Sequence, residues 1–182
     1  VLFIYIDSYL GMGEHYASMS LIGTVLGLGS VLIWRQVANS LGKKNVWIAG
    51  KVFLGSGAIG LAFLSPDDTV FWDIVWPYML IQFGIVAGAI AAPSLVSDLI
   101  DYSNWKFKTE CTASYYGLYT LVTKAFMALG SALGIMIFGW YGFDPAAPVY
   151  NAETTFAVHL ALGWLPILLF LLAILFLWLI PI

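Results

Sequence analysis

Residues 115–139 read "YYGLYTLVTKAFMALGSALGIMIFG", an apolar run broken by a single charge, Lys124, near its middle. A helix needs about 20 mostly apolar residues to cross the hydrocarbon core of a bilayer, and this run is long enough. Lys124 lies 11 residues after Ala113 and 14 before Phe138, too deep for its stem to reach either interface easily. An ammonium at that depth costs from about 3 kcal/mol upward. At 100° per residue, Gly117, Thr120, Lys124, Ala128 and Ser131 share one small, polar face. Leu118, Val122, Phe126, Leu129, Leu133 and Ile137 make up the opposite, bulky face, which suits lipid. The expected helix therefore turns Lys124 toward the protein interior or a watery cavity. There it either holds helices in register through a buried ion pair or lines a path for solute and ion. Intramembrane ionisable residues favour the second role.

The rest of the chain has the same character. Its 182 residues are 62% hydrophobic and 9% charged, where a soluble domain is about 25% charged. No soluble core of this size could hide so much apolar surface, so the class is an all-α, polytopic membrane bundle. A formal net charge of −3 leaves no basic footprint for nucleic acid. The lone Cys111 excludes an internal disulfide. His15 and His159 are too isolated to suggest a metal site, and His159 reads as hydrogen-bonded packing. No nucleophile–base pair or phosphate loop suggests an enzyme, and no cofactor is expected. The start inside an apolar run without Met reads as a piece of a longer chain.

Five whole spans are expected at 16–34, 46–64, 70–96, 113–138 and 154–178, with a partial one at 1–10. The polar stretch "RQVANSLGKKN" separates the first two whole spans. "SPDDT", with Asp67 and Asp68, marks a turn. Pro93 is a candidate kink, Pro166 a candidate bend, and Asn151 a candidate cap for the last helix. Arg35, Lys43 and Lys44 fall in one loop, and Lys106 and Lys108 in another. The alternate loops hold only acidic residues. By the positive-inside rule the basic loops and the C-terminus are cytoplasmic, in a plasma membrane, most simply a bacterial inner one. Gly23–Gly27, Gly84–Gly88 and Gly130–Gly134 have the spacing of close helix approach. Trp34, Trp47, Trp72, Trp76 and Trp140 read as interfacial anchors.

Asp98 and Asp101 stand three apart at the cytoplasmic end of the third span, with Lys106, Lys108 and Glu110 close behind. Either they are solvated surface pairs of little weight, or they form a gate whose charge pairs break as a cavity opens.

The stretch "DLIDYSNWKFKTECTASYYGLYTLVTKAFMALGSALG", residues 98–134, resembles the glycoside–pentoside–hexuronide:cation symporters, a melibiose-permease-like family of the major facilitator superfamily. The matching elements are Asp98, Asp101, Tyr102, Trp105, Lys106 and Lys124, and the basic loop and "YIDSYLG" are similar too. The resemblance implies the C-terminal six-helix half of a twelve-helix transporter, completed by an N-terminal half. It implies symport of a sugar or sugar-like solute with Na⁺ or H⁺ by alternating access. By the same resemblance Lys124, Thr120 and Tyr119 line the solute and cation pathway. Asp98, Asp101, Tyr102, Lys106, Glu110 and Arg35 belong to the cytoplasmic gate. Asn104, Glu110 and Thr112 depart from the family pattern, which would rewire the gating pairs and leaves room for a non-sugar solute. The rival classes are a membrane enzyme acting on lipid through Asp98, Asp101 and Lys106, or a scaffolding bundle. Neither needs a charge at mid-bilayer.

Overall fold

The computed structural model describes residues 1–66, 69–146 and 150–179. Asp67 and Asp68, expected in a turn, lie outside the described residues. The chain opens with α1 (Leu2–Ile4), which widens into a π turn at Tyr5–Tyr9, and a 3-10 turn follows at Gly13–His15. The long helices are α2 (Tyr16–Leu41), α3 (Lys43–Ala62), α4 (Phe71–Phe107) and α5 (Thr112–Trp140). The last span is α6 (Ala152–His159), a π turn at Leu160–Trp164 and α7 (Leu165–Leu179). Among the described residues five helical segments are long and apolar enough to cross a membrane. The protein is an all-α, multi-pass membrane bundle.

Two stretches expected as polar loops are helical instead. The first, around "RQVANSLGKKN", shrinks to Gly42 alone, between Leu41 at the end of α2 and Lys43 at the start of α3. Arg35, Gln36, Ala38 and Leu41 are good helix formers, so α2 runs on past the apolar core. Gly42 sits at φ 84°, open cheaply only to glycine, and its N–H bonds to the Ala38 carbonyl at 3.0 Å. The second, "SDLIDYSNWKFKTEC", continues α4 as far as Phe107, where Lys108 ends the helix at φ 55°. Hydropathy finds where the bilayer stops, not where the helix stops. Pro93 and Pro77 both lie inside α4, and neither ends it. In a membrane helix, neighbouring groups can take over the freed backbone positions.

Asn151 caps α6, accepting from the Thr154 N–H at 2.8 Å, while Thr154 Oγ1 accepts from the Asn151 N–H at 3.0 Å. Pro166 lacks an N–H for the carbonyl of Leu162, inside the π turn just before it.

The tightest crossing is between α3 and α4. A Cβ on Gly84 would sit 2.5 Å from the Gly50 carbonyl oxygen, and one on Gly50 would sit 3.0 Å from that of Gly84. Gly130 is different: nothing described lies within 4 Å of its Cβ position, and only its partner Gly134 is packed, against Val1. The side chains form two clusters. Tyr5, Ile6, Tyr9, Met19, Tyr78 and Phe138 belong to the first, near the acidic ends of the helices. Trp34, Val46, Ala87 and Ala91 form the second, toward the basic ends. Trp34 is therefore not an interfacial anchor. It is 3% exposed, and its Nε1 donates to the Phe83 carbonyl at 2.9 Å. Trp72, Trp76 and Trp140 are exposed, as anchors are.

Candidate functional site

Helix α5 is fastened at its two ends and stands clear between them. At the basic end the Tyr116 and Ser97 hydroxyls share a hydrogen bond of 2.7 Å, and Tyr115 donates to Ser103 Oγ at 3.1 Å. At the other end Gly134, Ile137 and Phe138 are buried. Ile137 was placed on the lipid face, but it packs in the first cluster. A helix wheel carries no information about a helix lying against only the last turns. Between the two ends Gly117, Thr120, Lys124, Ala128 and Ser131 are all exposed, and Tyr119 is half-buried. Lys124 has no hydrogen bond or ion pair among the described residues. The bulky Leu118, Val122, Phe126, Leu129 and Leu133 are exposed too. Within this chain, then, α5 offers a polar face and an apolar face to its surroundings, with one cation on the polar side.

At the charged end Lys43 and Asp98 form a close ion pair. Lys43 Nζ meets both oxygens of Asp98, at 2.6 and 2.7 Å, and approaches the Ser94 carbonyl at 3.5 Å. The pair follows from the local fold. With only Gly42 between α2 and α3, Lys43 begins α3 beside the extended part of α4, where Asp98 projects. Sequence reasoning passes over Lys43 as a gate residue, because its partner is 55 positions away.

The other gate candidates are not drawn together. Lys106 lies over the rings of Tyr102 and Phe107, at 5.6 and 5.5 Å, rather than beside a carboxylate. Tyr102 in turn leans on Trp105 at 6.1 Å. Arg35, Asp101 and Glu110 are exposed, and none of them forms an ion pair among the described residues. Asp98, Asp101 and Lys106 thus make no compact cluster of the kind a lipid-acting enzyme would need.

Two further groups stand out. Lys51 sits inside α3, within a membrane-length span, with its Nζ 5.7 Å from the centre of the Phe170 ring on α7. It is a second intramembrane lysine that the sequence reading does not single out, although the signal was the same as for Lys124. His159 packs edge-on to Tyr9 at 6.5 Å, but among the described residues its buried Nε2 has no hydrogen-bond partner, contrary to the expected hydrogen-bonded packing. Among the described residues no three His, Cys, Asp or Glu side chains gather as a metal site.

A protein-family model described as MFS/sugar transport protein matches the chain over residues 1–182. No solved structure matches it. With every residue of this all-helical membrane bundle inside that match, the chain belongs to the MFS/sugar transport protein family, within the major facilitator superfamily.

Proposed function

We propose that the chain is one six-helix half of a secondary transporter that carries a sugar or sugar-like solute together with Na⁺ or H⁺ by alternating access. The observation that carries this reading is Lys124, a cation in the middle of a membrane-length helix, exposed on a small polar face and without a partner among the described residues. Hydrocarbon is a poor neighbour for that face, so a hydrated cavity and a second helical half are its natural cover. Lys124, Thr120 and Tyr119 line the pathway. The Lys43–Asp98 pair serves the cytoplasmic gate, joined during the cycle by Asp101, Tyr102, Lys106, Glu110 and Arg35. The basic ends and the C-terminus face the cytoplasm, as the charge alternation requires.

The test is uptake in the full-length protein against Na⁺ concentration and pH, with folded protein quantified in parallel. Lys124→Ala abolishes cation-coupled uptake while the protein still inserts and folds. A lysine locked in a buried ion pair would instead cost about 3–5 kcal/mol of stability on removal. Thr120→Ala, one turn away, weakens ion dependence more mildly, and Val122→Ala on the bulky face changes little. Normal coupled uptake in Lys124→Ala removes this residue from the transport site.

A further inference from the structure

Gln82 lies near the middle of a membrane-length span, 12 residues after Val70 and 14 before Val96. Its side chain is partly buried, and its amide has no hydrogen bond among the described residues. An amide left against hydrocarbon is costly, so its open side calls for water, solute or another polar group. Gln82 edges an open groove of about 190 Å³ between α2 and α4. Leu28, Ile85 and Val86 form the apolar sides of this groove, and Thr24 is its other polar group. Thr24 Oγ1 donates to the Ser20 carbonyl at 2.8 Å and keeps its lone pairs to accept with. Gln82 adds two N–H donors and a carbonyl acceptor. Among the described residues no ionisable side chain lines the groove. Gly23 makes the arrangement possible: a Cβ there would sit 2.3 Å from the Tyr78 ring and 3.0 Å from Gln82 Cγ.

The groove is not level with Lys124. Counted from the Tyr116–Ser97 hydrogen bond, Gln82 stands 15 residues up α4 and Lys124 stands 8 up α5. At 1.5 Å per residue these are about 22 and 12 Å, so Gln82 lies about 10 Å nearer the acidic ends of the bundle. Side chains lean toward the N-terminus of their own helix, and these two helices run in opposite directions. The amide and the ammonium therefore point apart along the bundle axis. The groove is a second level of contact, further out than Lys124.

Neutral donors and acceptors between apolar walls, with no charge, complement hydroxyl groups on a ring whose C–H faces are apolar. We propose that the α2–α4 groove is a solute subsite that holds a neutral sugar ring, with the Gln82 amide hydrogen-bonded to its hydroxyls and Thr24 accepting from one of them. Gln82 is then a specificity residue for hydroxyl pattern and takes no part in ion coupling, which stays with Lys124. The inference rests on the sugar-transport reading above and adds to it a separate place where the sugar is read.

The experiment measures uptake of labelled glucose, galactose, xylose and lactose by the full-length transporter in vesicles, at equal amounts of folded protein. The sugar taken up best is then compared with its own deoxy analogues, each lacking one hydroxyl. Gln82→Ala raises KM for the parent sugar about 2- to 12-fold, the loss of one neutral hydrogen bond, and leaves kcat and ion dependence unchanged. For at least one deoxy analogue KM is already raised, and Gln82→Ala adds nothing further. Gln82→Met, which keeps the length and loses the amide, repeats both results. Thr24→Val has a milder effect of the same kind, and Ile33→Ala, exposed on the far side of α2, has none. An unchanged KM overturns the subsite. So does an equal rise for the parent and every deoxy analogue, as expected if the amide only bonds to the completing half. Loss of folded protein in both Gln82 variants also overturns it, by assigning the amide to packing. If none of the four sugars enters, the transport reading falls and the subsite with it. Normal uptake without the hydroxyl-specific effect removes the subsite alone.

Discussion

Gly84 and Gly88 have the same spacing signature, yet the structure gives them opposite responses to a methyl group. A Cβ on Gly84 would lie 2.5 Å from the Gly50 carbonyl oxygen and 2.9 Å from the Leu54 backbone nitrogen. Ordinary contact begins near 3.4 Å, so Gly84→Ala drives backbone into backbone by about 0.9 Å. No side chain can rotate away, and α3 and α4 must separate. Overpacking of this kind costs about 1–3 kcal/mol. At about 2–4 °C per kcal/mol for a chain of this size, the melting temperature should fall by roughly 2–12 °C. On Gly88 the same methyl meets only the edge of the Trp47 ring, at 3.8 and 3.9 Å, which is normal contact. Gly88→Ala should be neutral, or stabilising by up to about 1 kcal/mol through helix propensity. The assay is thermal unfolding of the purified full-length protein in detergent, followed by loss of the monodisperse peak on gel filtration. Equal losses from the two substitutions would refute the claim that α3 and α4 cross at Gly50 and Gly84.

The Lys43–Asp98 pair is short but half in solvent, at 37% and 55% exposure, so its coupling should be about 0.2–1 kcal/mol. A double-mutant cycle with Lys43→Gln and Asp98→Asn measures it. The coupling should shrink in high salt, and a salt-independent value of several kcal/mol would contradict the observed exposure. Trp34→Ala should cost about 3–5 kcal/mol because the ring is buried between α2 and α4, whereas Trp140→Ala should cost little. Similar thermal shifts for the two would return Trp34 to the interface. Cys111, half-buried in the link between α4 and α5, should react with a membrane-impermeant thiol reagent from the cytoplasmic face alone. Labelling of intact cells from outside inverts the topology.

The five long helices were legible because each is an apolar run of membrane length, and hydropathy reports that directly. Their ends were not. Polar helix formers such as Gln36 and Lys106 continue a helix into water without leaving an apolar signal, so α2 and α4 outrun the spans expected for them. Trp34 shows a second limit. A tryptophan at the end of a span can lie against headgroups or inside a three-helix junction, and only the packing of Phe53 and Phe83 around it decides. The charge of Lys124 was legible at once from its surroundings. Lys43 as the partner of Asp98 was not, because that contact depends on the one-residue joint at Gly42. Lys51 was legible in principle, as a lysine in an apolar run, but it stands close to Lys43 and Lys44 and merges with their loop.

The π turn within the last span changes what a single-residue length difference can do there. A π turn is an α-helical turn carrying one extra residue, and the turn at Leu160–Trp164 is continuous with α6 before it and α7 after it. Deleting one residue from α3 between Val46 and Gly50 would rotate everything beyond it by about 100° and swing Lys51 off Phe170. Deleting one from Leu160–Trp164 would let that turn relax to ordinary α-helix, with α7 keeping its facing toward α3. The π turn at Tyr5–Tyr9 differs, because the helical run ends directly after it at Leu10 and Gly11, the latter at φ 68°. The Leu160–Trp164 turn thus gives the last span a place, inside a helix, where a residue can be lost without changing the phase of the helix that follows.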